Sequence, residues 1–307
     1  RLVAGLMGRA LSAMRDRPDR TGELDSLLTA MKTSDGAAEI TRASKSNLAF
    51  AFIAMSGARR RDITTFYAFC RLIDDIADDN QRDPETKRRE LALWRQSLRG
   101  ETAGESALAK PVRDLTSRYP IRPEMFEEII TGVEMDIDIR RYVTWDELRV
   151  YCHRVASAVG LVSIEIFGYK NPRSRDYAIA LGLALQVTNI VRDVARDLRA
   201  DRIYLPGEDL AHFNYAEEDL RNGVTDTRFI QLMNFEADRA ENFFAESTRL
   251  LPREDHRSML PAEIMRSIYQ ALLRRMKLDN FRMFEKDYQL SKTEKAGRAA
   301  AQLLKIF

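Results

Sequence analysis

Cysteine and histidine are scarce in this chain: two and three among 307 residues. Cys70 and Cys152 both fall within apolar helical patterns. They read as buried thiols in a reducing compartment, and nothing in the pattern supports a disulfide between them. His153, His212 and His256 form no Glu-x-x-His pair, which argues against a di-iron carboxylate bundle. There is no Gly-rich phosphate loop and no Gly-x-Ser-x-Gly elbow. An excess of one charge is also missing. The formal net charge is +2, with Lys and Arg spread along the chain, so a nucleic-acid footprint is not expected. No uninterrupted apolar run reaches the roughly 18 residues of a membrane span; Glu165 breaks the longest candidate, 155–167. The expectation is a cytoplasmic protein with at most peripheral contact at the inner face of the membrane.

What the chain does have is helical periodicity. With 45% hydrophobic and 31% charged residues it has an ordinary globular composition. Helices are expected over 46–56, 60–79, 84–99, 105–118, 123–138, 145–168, 174–199, 227–250, 261–286 and 292–305, bounded by Gly and Pro. Asp83-Pro84 and Asn171-Pro172 read as helix starts. No segment keeps a convincing two-residue alternation, so the fold class is all-α. Residues 1–40 form an N-terminal extension, whose Arg-rich first twenty residues also suit a membrane-surface helix. Residues 41–307 form one domain.

Two helices carry an unusual feature. Tyr67, Arg71, Asp74 and Asp78 share one stripe, and the helix ends in four carboxylates, Asp74, Asp75, Asp78 and Asp79. A helix C-terminus is already the negative end of its dipole. Two unit charges roughly 6 Å apart repel by about 3 kcal/mol at an effective dielectric near 20. Such a cluster calls for a cation, unless it is simply a solvated acidic end. Gly182, Gln186, Asn189, Asp193 and Asp197 line a second stripe on an apolar helix. Two Asp-x-x-x-Asp faces meeting across a bundle would form a cavity of carboxylate oxygens, which suits Mg²⁺ bridging to a substrate diphosphate. Lys45, Arg71, Arg192, Arg196 and Arg202 are candidates to grip phosphate, the alternative being salt bridges to neighbouring aspartates. Tyr151 opens a stretch of small residues, and taken alone it reads as a core tyrosine before a catalytic one.

At these residues the chain resembles the squalene/phytoene synthase family. The resemblance covers roughly 44–290 and rests on several motifs in order. They are Ser44-Lys45-Ser46-Asn47, Tyr67-Ala68-Phe69-Cys70-Arg71 with Asp74-Asp75-Ile76-Ala77-Asp78, and Arg141-Tyr142 with Tyr151-Cys152. Then come Leu185-Gln186-Val187-Thr188-Asn189-Ile190-Val191-Arg192-Asp193-Val194-Ala195-Arg196-Asp197 and Arg202-Ile203-Tyr204-Leu205-Pro206. Glu165-Ile166-Phe167-Gly168-Tyr169 and Ile268-Tyr269-Gln270-Ala271-Leu272-Leu273 look most like the presqualene diphosphate synthases of hopanoid pathways, with phytoene synthases the near rival.

The resemblance implies an isoprenoid-synthase helical bundle around a deep central cavity. It implies that Asp74, Asp78, Asn189, Asp193 and Asp197 bind Mg²⁺. Lys45, Ser46, Arg71, Gln186, Arg192 and Arg202 would contact the diphosphates, and Tyr67, Tyr151 and Tyr204 would lie near the reacting carbons. The implied reaction joins two farnesyl diphosphates into presqualene diphosphate, going on to squalene only if NADPH is used. Condensation of two geranylgeranyl diphosphates to phytoene is the alternative. A non-catalytic prenyl-lipid-binding helical protein is the alternative from another class. A head-to-tail elongase fits less well, because Asn189 stands where its second motif would carry Asp. Two positions depart from the family pattern: Ser157 replaces a glycine, and Leu48-Ala49 replaces aromatics. Both are expected to face the tail pocket.

Overall fold

The computed structural model describes residues 51–305 apart from 53, 54, 56, 80 and 102. The N-terminal extension, most of the helix expected over 46–56, and Lys45, Ser46, Leu48 and Ala49 lie outside the described residues. The described chain is helical, with one isolated backbone bridge between Arg141 and Ile203. In order come α1 (Gly57–Asp78), α2 (Pro84–Leu98), two short helices (Ala109–Arg113 and Leu115–Arg118) and α3 (Pro123–Asp138). Next are α4 (Trp145–Cys152), one π-helical turn (His153–Ser157) and α5 (Ala158–Phe167). The long α6 (Ser174–Arg199) follows, then short helices at Gly207–His212 and Glu217–Arg221. The last elements are α7 (Thr227–Leu250), α8 (Leu260–Leu278) and α9 (Lys292–Leu304).

α6 is the axis of the bundle. Tyr177, Ala178, Leu181, Ala184, Val187, Ile190, Val191 and Val194 are buried on it, and it packs against α5, the π turn, α7 and α8. The stretches Trp145–Phe167 and Ser174–Arg199 are each long and apolar enough to cross a membrane by length and composition. A central bundle helix passes the same test, because it too is apolar on most sides. In α6, 72% of the most apolar window is buried inside the protein.

Four expectations need correction. The helix expected over 105–118 is two short pieces starting at Ala109. The Pro111 ring would clash with the carbonyl four residues back, so no helix runs through from Glu105. The helix expected over 261–286 stops at Leu278. Asn280 and Phe281 both take left-handed backbone (φ 50° and 55°), and the Phe281 N–H closes on the Met276 carbonyl at 2.9 Å. That ending turns the Phe281 side chain fully into the core. Asn171-Pro172 forms a turn ahead of α6, with the Ser174 N–H donating to the Asn171 carbonyl, whereas Asp83 does cap α2 by accepting from the Thr86 N–H at 2.9 Å.

The fourth correction concerns 145–168, which is interrupted by the π turn. Two glycines bracket it. A Cβ on Gly132 of α3 would stand 2.6 Å from Arg154 Cβ, and one on Gly182 of α6 would stand 2.6 Å from Ser157 Cα. The widened turn is thus pressed between two helices at backbone distance. Ser157 does not face the tail pocket. It is fully buried and its hydroxyl donates to the Ile179 carbonyl at 2.9 Å.

Candidate active site

The bundle encloses a cavity of about 390 Å³. α1 contributes Tyr67, Cys70, Arg71 and Asp74; α6 contributes Gln186 and Asn189, and these together with Tyr151 make one end polar. Cys70 is therefore a cavity residue rather than plain core, and both thiols are free. Ile129, Val133, Val155, Val159, Ile164, Phe167, Leu181 and Met265 make the remaining wall apolar. From Asn189 back to Tyr177 the lining spans twelve residues of α6, about 18 Å at 1.5 Å per residue. The π turn serves this wall: it lets Val155 and Ala156 line the cavity while Ser157 seals against α6.

Beyond Asn189 the same stripe carries Asp193 and Asp197, one and two turns on. Asp193 is 8% exposed and outside the cavity lining. Arg192 grips it with both guanidinium nitrogens, and Arg196 donates to Asp193 Oδ2 at 2.7 Å. α6 then ends in a Schellman turn. The Arg202 N–H bonds the Asp197 carbonyl at 2.9 Å, and Asp201 takes left-handed backbone (φ 56°). Arg141 and Arg221 hold the Asp201 carboxylate at 2.9 and 2.8 Å. The Ile203 and Gly207 N–H groups bond the Arg140 and Tyr142 carbonyls at 2.9 Å each, so the loop is fastened beside the end of α3.

This turn carries Arg202 across to α1, where it meets Asp78 Oδ1 at 2.6 Å. The two acid-bearing helices therefore converge on one region. Among the described residues, the cations on the acidic end of α1 are side chains. Arg71 pairs with Asp74 at 3.4 Å and Asp75 at 2.6 Å, Arg202 takes Asp78, and Lys87 of α2 donates to the Ala77 carbonyl at 2.7 Å. Lys87 answers the orphan carbonyls and the negative dipole end directly.

The charge balance is still unfavourable for two carboxylates. Burial, then repulsion from Asp78, raises the Asp74 carboxyl to about 7. Its side chain keeps 48% of its surface accessible toward the half-open cavity, so water there screens part of that repulsion. Burial and Asp193 likewise raise Asp197 to about 7. A third acid, Asp136 of α3, lies close enough to both to raise them further, and burial raises its own carboxyl. Asp136 accepts from the Tyr151 hydroxyl at 2.8 Å and the Tyr204 hydroxyl at 2.6 Å. Asp197, Arg202 and Tyr204 line a small crevice of their own. Asp136 links the Tyr204 of that crevice to the Tyr151 of the main cavity.

The donors suit a divalent cation in kind: hard oxygens throughout, two carboxylates held well above their ordinary range, and a buried Asn189 Oδ1 with no hydrogen-bond partner among the described residues. As they stand, no three His, Cys, Asp or Glu side chains among the described residues form a group that could hold an ion. The reason is visible, since Asp78 and Asp193 are taken up by arginines. Of the sequence-derived candidates, Tyr67, Arg71, Asp74, Tyr151, Gln186 and Asn189 line the cavity. Asp78, Arg192, Asp193, Asp197, Arg202 and Tyr204 lie outside its lining: Asp78 is bound to Arg202, Asp193 to Arg192, Asp197 to Arg196 and Tyr204 to Asp136. Asp136 and Lys87 were not foreseen, nor was a site role for Tyr269 of α8, which lines the cavity. Asp136 had a signal: it is a lone acid on the stripe of Ile129 and Val133, the buried face of α3.

The family model described as squalene/phytoene synthase matches residues 41–294. A 15-cis-phytoene synthase of Synechococcus elongatus is 37% identical over 246 residues, covering 76% of this chain and 80% of that protein. A presqualene diphosphate synthase of Zymomonas mobilis is 34% identical over 251 residues, covering 80% and 84%. Among solved structures, the squalene synthase HpnC from Alicyclobacillus acidocaldarius superposes with a TM-score of 0.69 at 26% identity, covering 80% of this chain and 93% of that one. A dehydrosqualene synthase superposes at 0.77 and 24% identity, covering 94% and 100%, and so shares the fold. The chain belongs to the squalene/phytoene synthase family, and its architecture is the all-α isoprenoid synthase fold.

Proposed function

We propose that this member of the squalene/phytoene synthase family is a Mg²⁺-dependent transferase that joins two farnesyl diphosphates head to head into presqualene diphosphate. The observation that carries the reading is one cavity whose Asp74–Asn189 end is polar and whose remaining wall is apolar. Asp74, Asp78, Asn189, Asp193 and Asp197 would hold the metal, with Asp78 and Asp193 exchanging their arginines for it. Bound there, Mg²⁺ would supply positive charge to a departing diphosphate. Arg71, Gln186, Arg192 and Arg202 would add donors for phosphate oxygens; the family resemblance gives the same role to Lys45 and Ser46, which lie outside the described residues. The apolar walls keep water from the allylic cation, and the second substrate's double bond attacks it. Loss of a proton then closes the cyclopropane ring. Tyr67 and Tyr151 line the cavity and would present ring faces and phenol oxygens for those steps, with Tyr204 stacked behind Tyr151.

The lining runs about 18 Å along α6 and has Phe167 and Tyr177 among its walls. The choice of the shorter substrate follows the likeness of 165–169 and 268–273 to presqualene diphosphate synthases. The second reading, phytoene from two geranylgeranyl diphosphates, draws on the 37% identity to a phytoene synthase. Incubating the protein with each diphosphate and Mg²⁺, with and without NADPH, and identifying the lipid decides between them. Presqualene diphosphate from farnesyl diphosphate, abolished by EDTA, is the expected outcome; a C40 product alone rejects the first reading. Squalene formed only with NADPH would place the reductive step on this protein. The product's long apolar tails also favour peripheral contact with a membrane, and the enzyme is read as cytoplasmic.

A further inference from the structure

Asp136 sits where a charge is expensive. It is 7% exposed, in a region that already holds Asp74, Asp78 and Asp197. A neutral acceptor would avoid that cost, so the carboxylate calls for a reason. Its two oxygens have separate partners. Oδ2 accepts from the Tyr151 hydroxyl at 2.8 Å, and Oδ1 accepts from the Tyr204 hydroxyl at 2.6 Å. The tyrosines come from α4 and from the loop after α6, and their rings stack with centroids 5.2 Å apart and planes 20° apart. Tyr142 leans on both rings at 5.5 and 6.0 Å. An asparagine could accept from only one phenol, because its amide nitrogen would face the other as a donor.

We propose that Asp136 is a positioning residue for the reacting end of the cavity, taking the protons of Tyr151 and Tyr204 and so fixing both phenols as acceptors only. This rests on the head-to-head reading above. A phenol that donates to a carboxylate keeps its lone pairs for an incoming proton and has a more electron-rich ring. Tyr151, which lines the cavity, then meets the cationic intermediate in its most stabilising state. Without Asp136 the Tyr151 hydroxyl is left with the Tyr204 oxygen at 3.4 Å, so one phenol donates to the other, and the cation is quenched less selectively.

The test is Asp136→Asn, alone and in a Tyr151→Phe/Tyr204→Phe background, assayed with farnesyl diphosphate and Mg²⁺. The single variant is expected to lose about 100-fold in kcat with KM within about threefold, the usual cost of one preorganised polar group. Its products should shift toward prenyl alcohols from water-quenched cation. In the phenylalanine background the same substitution should cost less than about threefold, because its partners are already gone. A full, multiplicative loss there, or unchanged kcat in the single variant, overturns the proposal. Should Asp136→Asn fail to fold, the double phenylalanine variant must show the same kcat loss and product shift on its own. A readout independent of turnover is the tyrosine ring doublet in Raman difference spectra. At least one of the two strongly donating phenols should disappear on Asp136→Asn, and an unchanged doublet also overturns the proposal. A wild-type protein that releases no diphosphate while showing the Raman change would instead sink the head-to-head reading and leave the hydrogen-bond assignment standing.

Discussion

Asp74 and Asp193 each open an Asp-x-x-x-Asp pair near the end of an apolar helix, yet their surroundings differ sharply. Asp74 keeps 48% of its side-chain surface accessible toward the cavity, and its one arginine, Arg71, bonds Asp75 more closely. Asp193 keeps 10% and is clamped by both Arg192 and Arg196. The first is a charge waiting for a counterion, and burial among other acids holds its carboxyl near 7. The second already has two. A spacing that is identical in sequence therefore gives one pair that gains from a cation and one that must give up arginines to bind it.

The largest effect that can test this contrast is on turnover, where the two acids should behave alike. Asp74→Ala and Asp193→Ala are each expected to lower the rate of diphosphate release by about 10³-fold, in line with removing a preorganised charge-stabilising group. A loss at Asp74 with near-normal turnover in Asp193→Ala would confine metal binding to α1.

Stability should then separate them. Asp193→Asn strands two guanidinium groups, and the loss is about 3 kcal/mol, the low end for breaking a buried pair because Arg196 is 61% exposed. Asp74→Asn removes a charge that the fold disfavours, so the metal-free protein should hold or gain stability. Urea unfolding of both variants without metal checks the opposite signs. Equal destabilisation would mean that Asp74 is as firmly paired as Asp193.

The sequence made half of this contrast readable. Helical periodicity put Asp74 with Tyr67 and Arg71, and Asp193 with Gln186 and Asn189, because a stripe depends only on local geometry. The partners of those acids depend on contacts distant in sequence. Arg202 reaches Asp78 because a Schellman turn at Asp201 reverses the chain, and Lys87 reaches the Ala77 carbonyl from another helix. The π turn was hidden for the same reason. Continuous helical periodicity over 145–168 gives no hint that Gly132 and Gly182 press on 153–157 from two sides. Asp136 was the missed residue that left a trace, an acid on an apolar face. Only the fold showed that two tyrosines from separate segments share it.

The smallest effect expected is on pH dependence, and it isolates the unpaired side of the comparison. Asp74 and Asp197 titrate near 7 in the folded protein against about 4 in an unfolded chain, so the folded state holds the extra protons between those values. Stability of the metal-free protein therefore falls as pH rises from 4 to 7, and it is fully retained only below the lower value. Cavity water screens the partly open Asp74, which limits the loss from pH 5 to pH 8 to about 3 °C in Tm, the shift that 1 kcal/mol produces in a chain of this size. A divalent cation with diphosphate should flatten the slope, because the charged form then has its counterion. Thermal melts with EDTA, and with Mg²⁺ plus inorganic diphosphate, measure both slopes. A metal-free Tm that climbs over this range would mean that arginines already neutralise Asp74 and Asp197 as completely as they do Asp193.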